Sequence, residues 1–242
     1  MRVAILSDIH GNLEALQAVL ADIDRQSVDA VICLGDLIGY GPDPDAVVHS
    51  IVEHGIESII GNHETALTSA RDRNWMNFQA RENNIATAEL LSLMALDYCI
   101  SLPRTLSRFN ALFVHGFPPD SVLRYLSLLA DGDIRKALKT AAERICFVGH
   151  THELSLVSVM GDSVTRRQLN EGSYQLDPRT RYFVNAGSVG QPRDGNKKSK
   201  YVLWDAGSNR LEVRALTYPS HLTAEKILER GFPASYAMRI CD

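Results

Sequence analysis

Apolar residues in the first third of the chain alternate between short continuous runs and helical spacing. The runs RVAILSDI (residues 2–9) and DAVICLGD (29–36) are typical of buried strands. Between them, residues 12–26 place apolar side chains at helical intervals, and residues 46–54 repeat that spacing before a third run, IESIIGN (56–62). Strands that alternate with helices in this way predict parallel pairing through helical crossovers.

The remainder of the chain changes character twice. Residues 65–100 are mostly helical in composition, and after a short strand, ALFVHG (111–116), we expect a helix over residues 121–143. Short apolar runs closed by glycine turns then replace the helices. The predicted strands are RICFVGHTH, ELSLVSVM, SVTRRQL, RYFVNAG, KYVLWDA and RLEVRAL, followed by a helix over 223–230. No repeat or linker interrupts this pattern, so we expect one domain over 1–242.

Composition narrows the function classes. The 242 residues are 45% hydrophobic and 22% charged, which is ordinary for a globular protein. The net charge of −4 provides no global basic field for nucleic acid or an anionic membrane. The first apolar run breaks at Asp8, too early for a signal-peptide core, and no stretch approaches the roughly 18 apolar residues of a membrane span. We therefore expect a cytoplasmic protein, whose oligomeric state stays open.

The four cysteines lie far apart and lack the C-x-x-C spacing of metal and redox motifs. Cys33 and Cys146 sit inside apolar, strand-like runs. We expect Cys33, Cys99, Cys146 and Cys241 to be reduced structural thiols rather than disulfides or zinc ligands.

Polar residues of the types that bind metal ions recur where the apolar runs end. In SDIHGN, Asp8 and His10 are two positions apart, so their side chains point to the same side of an extended chain. Taken alone this pair is weak, because an aspartate at a strand end is often the N-cap of the next helix. The same chemistry follows four further strands, however. The complete set is Asp8, His10, Asp36, Asn62, His63, His115, His150 and His152.

The carboxyl ends of parallel strands are the usual location of sites in such sheets. Carboxylate, amide and imidazole ligands suit manganese, iron or zinc, whereas the lack of a cysteine cluster argues against a structural zinc site. Two ions held about 3.5 to 4 Å apart can bind a phosphoryl oxygen, activate a water and stabilise an in-line displacement. We therefore predict that the set binds metal ions.

The ordered motifs DIHGN, GDLIGYG, GNHE, HG and GHTH resemble those of the calcineurin-like metallophosphoesterases. The later stretch NAGSVGQPRDGNKKSKYVLWD resembles a small bacterial and archaeal phosphodiesterase-like branch. The resemblance implies an α/β (α+β) fold, a four-layer αββα sandwich of two mixed sheets flanked by helices, which agrees with the hydrophobic pattern. It also implies the ligand sets: Asp8, His10 and His152 for one ion, Asp36 as the bridge, and Asn62, His115 and His150 for the second.

The activity that this resemblance implies is hydrolysis of phosphodiester bonds by a hydroxide that bridges two divalent metal ions. His63 would be the general acid that protonates the leaving group. Manganese or iron is the expected metal, with zinc or nickel as alternatives, and the expected partner is a small phosphoester substrate. The alternatives are a small-molecule phosphomonoesterase and, in another class, a non-catalytic binding scaffold, because a retromer subunit shares the fold after losing catalytic residues.

One departure from the superfamily concerns substrate charge. Its protein phosphatases carry an Asp and an Arg three and four residues after the bridging Asp, where this chain has Gly39 and Tyr40. The missing Arg would grip a phosphate dianion, and the missing Asp would steady the acid histidine, so protein phosphatase activity is not expected. Arg193 is a candidate replacement cation, because Arg suits bidentate phosphate contacts. A solvated loop containing Arg193 is the open alternative.

For three aromatic residues the sequence allows two roles, packing or a place at the site. Tyr40 is a candidate pocket residue, although packing within GYGP explains it equally well. Trp75 and Phe78 are candidates for a helical cap over the metals within residues 65–100. Aromatic residues at i and i+3 also share a helix face that commonly packs into a core.

Overall fold

The structure, a computed structural model, describes residues 1–241 and contains twelve strands and nine α-helices there. The strands are β1 (Arg2–Leu6), β2 (Ala30–Cys33), β3 (Glu57–Ser58), β4 (Thr105–Arg108), β5 (Ala111–Val114), β6 (Ile145–Val148), β7 (Leu154–Met160), β8 (Ser163–Gln168), β9 (Gly172–Gln175), β10 (Arg181–Ala186), β11 (Ser199–Asp205) and β12 (Arg210–Leu216). The helices are α1 (Leu13–Ile23), α2 (Pro44–Glu53), α3 (Asn62–Thr68), α4 (Ala70–Trp75), α5 (Phe78–Glu89), α6 (Leu93–Ser101), α7 (Asp131–Thr140), α8 (Ser220–Glu229) and α9 (Ala234–Ile240). Within residues 1–241, no helix is both long and apolar enough to cross a membrane.

The strands form two six-stranded mixed sheets. Sheet A has the order β3-β2-β1-β11-β12-β9, in which β1, β2 and β3 are parallel and the other pairs antiparallel. Sheet B has the order β4-β5-β6-β10-β7-β8, in which β5, β6 and β10 are parallel. The parallel strands of each sheet therefore end at a common edge, as the alternation of strand and helix predicted.

Apolar side chains fill three interfaces between four layers. Strand β1 contributes to two of them, because alternate side chains of a strand point to opposite faces. Val3 and Ile5 pack between the sheets, whereas Ala4 and Leu6 pack against α1, α2 and α6 on the outer face of sheet A. Helix α7 covers the outer face of sheet B through Ile134. The predicted αββα sandwich is confirmed, and burial on both faces explains why β1 reads as a continuous apolar run.

The predicted helix over residues 121–143 is wrong in its extent. A short 3-10 helix covers Leu126–Leu128, and α7 begins only at Asp131 and ends at Thr140. Asp131 and Asp133 lie in the first turn of α7, where negative charge interacts favourably with the helix dipole. These two acids mark the residue at which the α-helix begins. The segment before Asp131 is not α-helical.

Other differences from the predicted elements are smaller. The last predicted helix, over 223–230, is confirmed as α8 with an earlier start. Strands β4 and β9 and helix α9 were not predicted. The four cysteines are free thiols, and Cys33, Cys99 and Cys146 are buried, as expected. Residues 65–100 are helical, but Trp75 and Phe78 lie outside the core, with 45% and 68% of their surfaces exposed.

Candidate metal centre

The eight polar residues found at strand ends come together in the structure. They are Asp8, His10, Asp36, Asn62, His63, His115, His150 and His152. Each follows a strand or opens the helix after it, and none has more than 5% of its surface exposed. Burial of so many polar groups is costly unless each one finds a partner. Each of these buried atoms therefore needs a partner.

Two groups of possible ligand atoms share one carboxylate. The first group is Asp8, His10, Asp36 and His152, and the second is Asp36, His115 and His150. Within each group, the ligand atoms all lie within 4.8 Å of one another. Asn62 lies beside the second group, with its Oδ1 3.1 Å from Nε2 of His115. Asp36 is thus the residue that the two groups have in common.

The imidazoles of His10 and His152 face each other through two nitrogen atoms that are both hydrogen-bond acceptors. Nδ1 of His10 lies 2.9 Å from the carbonyl of Ile38, and Nδ1 of His152 lies 2.6 Å from the carbonyl of Gln191. Because a carbonyl oxygen only accepts, each Nδ1 carries the hydrogen and each Nε2 carries a lone pair. The two Nε2 atoms are nevertheless 3.1 Å apart. Burial lowers the pKa of both rings well below the usual value, so they are neutral.

Asp8 adds another acceptor to the same point. Its Oδ2 accepts hydrogen bonds from the Ser7 hydroxyl at 2.5 Å and the His150 amide at 3.1 Å. Its Oδ1 has no hydrogen-bond partner within residues 1–241 and lies 3.3 Å from Nε2 of His152. Burial raises the pKa of Asp8 to about 7. These atoms together form a cluster of acceptors without a donor.

The second group differs from the first, because it combines a single carboxylate with His115, His150 and the neighbouring amide of Asn62. Nδ1 of His115 donates to the carbonyl of Leu34 at 2.8 Å, so Nε2 is the atom that faces Asn62 and Asp36 Oδ2, the latter at 3.4 Å. Burial opposes a charge on His115, but the Asp36 carboxylate outweighs it and raises the pKa of His115 to about 9. The position therefore attracts a cation, which is a proton when no metal is bound.

Divalent metal ions fit these residues. The acceptors at the first group converge with their lone pairs on a common point, and a cation is the partner that satisfies all of them. Carboxylate oxygen, amide oxygen and imidazole nitrogen are the ligands that manganese, iron and zinc accept. The carbonyls that fix each Nδ1 also orient the rings, as is usual around metal-bound histidine.

Backbone strain is concentrated at the same place. Ten non-glycine residues within 1–241 have positive φ, and six of them belong to the site. These six are Asp8, His10, Asp36, Tyr40, His150 and His152. Left-handed backbone is unfavourable for residues with a side chain, and such residues cluster where function requires the geometry.

His63 lies beside the metal groups without belonging to them. Its backbone amide donates to Asp36 Oδ1 at 2.9 Å, and Asn84 holds its carbonyl at 2.9 Å. Its ring stands edge-on to His10 and Tyr40, with centroids 4.9 and 4.6 Å away. Burial lowers the pKa of His63 to about 4, and Nδ1 has no hydrogen-bond partner within residues 1–241.

Gly39 explains the departure from the phosphatase pattern in physical terms. Its φ is +88°, and a Cβ there would lie 2.1 Å from Nδ1 of His63. No side chain, and therefore no aspartate, fits at this position with His63 in place. Ring contacts with Tyr40 and His10 hold His63 instead.

Arg193 and Tyr40 face the site rather than bulk solvent. The Arg193 guanidinium lies 5.7 Å from the centroid of the Tyr40 ring and donates to Gln191 Oε1 at 2.9 Å. Tyr40 packs edge-on against His10 and against Tyr236 of α9. Both side chains are partly buried beside the candidate ligands, and a role of Arg193 and Tyr40 in substrate binding stays a prediction.

Several residues that support the site were not predicted. Glu64 accepts hydrogen bonds from the amides of Asp36, Leu37, Ile38 and Gly61, which joins the loops after β2 and β3. The sequence indicates this role of Glu64 through the motif GNHE, because a glutamate at the third position of a helix commonly accepts a hydrogen bond from the backbone amide of the N-cap residue. Gln191 orients His152 through its carbonyl and contacts Arg193 and Arg239 through Oε1. No pattern in the sequence singles out Gln191.

Comparison with known proteins identifies the family. Residues 1–209 match the family model described as the calcineurin-like phosphoesterase superfamily domain. An uncharacterized protein of Methanocaldococcus jannaschii is 31% identical over 242 residues, covering 96% of this chain and 93% of that protein. The range matched by the family model spans the positions of every candidate ligand.

Solved structures agree with this result. A metallophosphoesterase from Sphaerobacter thermophilus is similar with a TM-score of 0.84 and 30% identity, covering 99% of this chain and 98% of that one. A hypothetical protein from Pyrococcus horikoshii OT3 has a TM-score of 0.79 at 17% identity, covering 99% and 97% of the two chains, which supports the fold alone. The chain belongs to the calcineurin-like phosphoesterase superfamily.

Proposed function

We propose that this protein is a binuclear metal-dependent phosphodiesterase that acts on a small substrate. The observation that carries the proposal is the pair of buried acceptor groups that share Asp36. The candidate ligands are Asp8, His10 and His152 for one ion, Asp36 for both, and Asn62, His115 and His150 for the other. A binding scaffold would have no need to keep Asp8 Oδ1 and the facing Nε2 atoms of His10 and His152 without a donor.

Manganese or iron is the metal that we propose, because the ligands combine hard carboxylate oxygens with borderline imidazoles and include no thiolate. Zinc and nickel accept the same ligands and are the alternatives. Two such ions, when bound, supply positive charge for the phosphoryl oxygens and lower the pKa of water.

His63 is the residue that we propose as the general acid. It lies next to the shared carboxylate through its amide, yet its Nδ1 is not committed to another residue. The ring is neutral without ligand, because burial lowers its pKa to about 4. A bound phosphoester anion favours the protonated ring, which then donates its proton to the leaving oxygen.

Substrate charge favours a diester over a monoester. A diester carries one negative charge, whereas a monoester carries nearly two at neutral pH. Gly39 and Tyr40 replace the Asp and Arg of the phosphatases, and the Arg193 guanidinium lies beside Tyr40. The chain thus offers modest positive charge beyond the metals, which suits the monoanion.

The test compares bis(p-nitrophenyl) phosphate with p-nitrophenyl phosphate in the presence of manganese. We expect a higher kcat/KM for the diester, and no activity from an Asp36→Asn preparation purified in parallel as a control for contaminating enzymes. A clear preference for the monoester would overturn the diesterase assignment in favour of the phosphomonoesterase. Absence of turnover in a metal-loaded protein, on a panel of diesters, nucleotides and monoesters, would favour the scaffold.

A further inference from the structure

The rings of Tyr125 and Trp75 pack against His150 of the second metal group, and we call these two rings the aromatic wall. The ring of Tyr125 stacks on His150 with a centroid distance of 4.0 Å and an interplanar angle of 12°. The ring of Trp75 lies 5.7 Å from Tyr125 and 5.8 Å from His150, tilted by 30° and 35°. His150 is buried, but Trp75 keeps 45% of its surface exposed. The wall therefore leads from a candidate metal ligand to solvent.

The backbone on both sides of this wall is fixed. Helix α4 ends at Trp75, and Arg73 in that helix donates to the carbonyls of Ala66 and Leu67 at 2.8 and 2.7 Å. The next residue, Met76, is buried in a small cluster with Ala66.

Tyr125 is held from the other side. His150 Nε2 lies 3.3 Å from the carbonyl of Leu123, and Leu126 is buried under sheet B. The rings thus have a defined position before any ligand arrives, which lowers the entropic cost of binding.

The wall has the chemistry to hold a flat ring rather than a charge. A large exposed aromatic surface next to a polar centre favours stacking of planar groups. Beside His10 and Tyr40, whose ring centroids are 4.7 Å apart, the Arg193 guanidinium provides positive charge. A substrate with its phosphoryl group at the metals can therefore direct an attached aromatic group over Trp75.

We propose that Trp75 and Tyr125 form a subsite that stacks on a planar aromatic group, a nucleobase or an aryl ring, attached to the phosphoryl group of the substrate. The inference rests on the proposed function, because it takes the phosphoryl group to lie at the metal centre. It adds the substrate class: phosphoesters with an aromatic substituent.

The test measures the binding of three ligands. Methyl phosphate, phenyl phosphate and adenosine 5′-monophosphate are titrated calorimetrically into the manganese-loaded protein. Stacking of one base on an aromatic side chain stabilises complexes enough to predict about 5- to 150-fold tighter binding of the two ligands with rings. A larger advantage for the nucleotide identifies a nucleobase subsite, and equal advantages identify a general aryl subsite.

Two variants distinguish binding of the aromatic group from binding of the phosphoryl group. Trp75→Ala is expected to reduce the advantage of the ring ligands by at least about 5-fold while the Kd of methyl phosphate stays unchanged. Phe78→Ala is the matched control, because Phe78 is an exposed aromatic three residues further on whose ring lies near Arg81. It is expected to retain the full advantage.

A spectroscopic readout uses the two tryptophans of the chain, Trp75 and the buried Trp204. Phenyl phosphate and adenosine 5′-monophosphate are expected to quench the fluorescence of Trp75, which is the part of the signal that Trp75→Ala removes. Methyl phosphate is expected to leave this fluorescence unchanged. Equal Kd values for all three ligands, or an advantage that survives in Trp75→Ala, would overturn the subsite and leave the phosphodiesterase standing. Ring-dependent binding in a protein that hydrolyses no diester would overturn the proposed function and leave the subsite.

Discussion

The metal centre lies where strands of both sheets end, and the cluster around Asp22 lies between α1 and sheet A; both are groups of largely buried polar atoms, but they pair in opposite ways. Asp22 Oδ2 accepts from the Tyr201 hydroxyl at 2.7 Å, and Arg214 donates to both carboxylate oxygens at 3.0 Å. At the metal centre, two histidine lone pairs face each other and Asp8 Oδ1 has no donor within residues 1–241. The first cluster is complete without a ligand, and the second is not.

Backbone conformation shows the same contrast. Asp22, Tyr201 and Arg214 are absent from the positive-φ residues, whereas six residues of the metal centre have left-handed backbone. Strain of that kind costs on the order of 1 kcal/mol or more at each residue and persists only where the surroundings impose it. The Asp22 cluster therefore stabilises the fold, while the metal centre lowers stability until a cation binds.

The largest expected effect is that of Asp36→Asn. Removing one charge from the only carboxylate shared by both groups weakens both sites together, so we expect loss of bound metal and loss of activity. Metal analysis and kcat/KM on a diester check this result. Asp22→Asn is the matched control, and it should keep both metal and activity. Full metal content in Asp36→Asn would contradict the shared position.

His63→Asn is expected to separate chemistry from metal binding. Turnover of a diester with a poor leaving group should fall by roughly 10² to 10⁴, the usual contribution of a positioned general acid. Metal content should remain that of the wild type. A nitrophenolate leaving group needs little protonation, so a smaller loss is expected there. Unchanged turnover with the poor leaving group would exclude His63 from this role.

One substitution, Asp to Asn, is expected to change stability in opposite directions at the two clusters. Asp22→Asn breaks a buried ion pair and should cost about 3 kcal/mol. Asp8→Asn places an amide donor opposite the lone pair of His152, so it should stabilise the metal-free protein by about 1 kcal/mol.

Urea unfolding with a chelator, at alkaline pH, measures both stability changes. Metal binding should be lost in Asp8→Asn and kept in Asp22→Asn. A destabilised Asp8→Asn under these conditions would show that the carboxylate is satisfied without metal, against the structure.

Arg193→Ala is expected to have a smaller effect on catalysis. Loss of one guanidinium should lower kcat/KM for the diester and the monoester by about 10-fold, since a charge-assisted contact to phosphate is lost. Lys198→Ala is the control, because Lys198 is in the same loop and pairs with Glu171 at 3.7 Å. Equal activities of the two variants would remove Arg193 from the substrate site.

The smallest effect concerns acid stability. Burial raises the pKa of Asp22, but its bonds with Arg214 and Tyr201 outweigh burial and keep the pKa below 3.8. A carboxyl group whose pKa is depressed by folding stabilises the protein at pH values above its pKa in the unfolded chain, about 3.9. This stabilisation is lost as the pH falls through the pKa of the folded state. Below about pH 4, unfolding free energy should therefore fall more steeply in the wild type than in Asp22→Asn. Parallel curves would contradict this assignment.

Much of the fold and of the metal centre could be predicted because both depend on local pattern. The ligands follow strands, and strands are recognisable as apolar runs. Strands β4 and β9 were missed because TLSR and GSYQ are four-residue polar segments at sheet edges. Gln191 and Tyr125 were missed because their roles arise only from tertiary contacts, with His152 and His150 respectively.

The most direct test of the two-metal centre is the metal content of the wild-type protein after reconstitution with manganese and removal of loosely bound ions. Two acceptor groups that share Asp36 predict about two ions per chain. Fewer than one ion per chain would contradict the account, because the facing lone pairs of His10 and His152 would then have no cation to satisfy them.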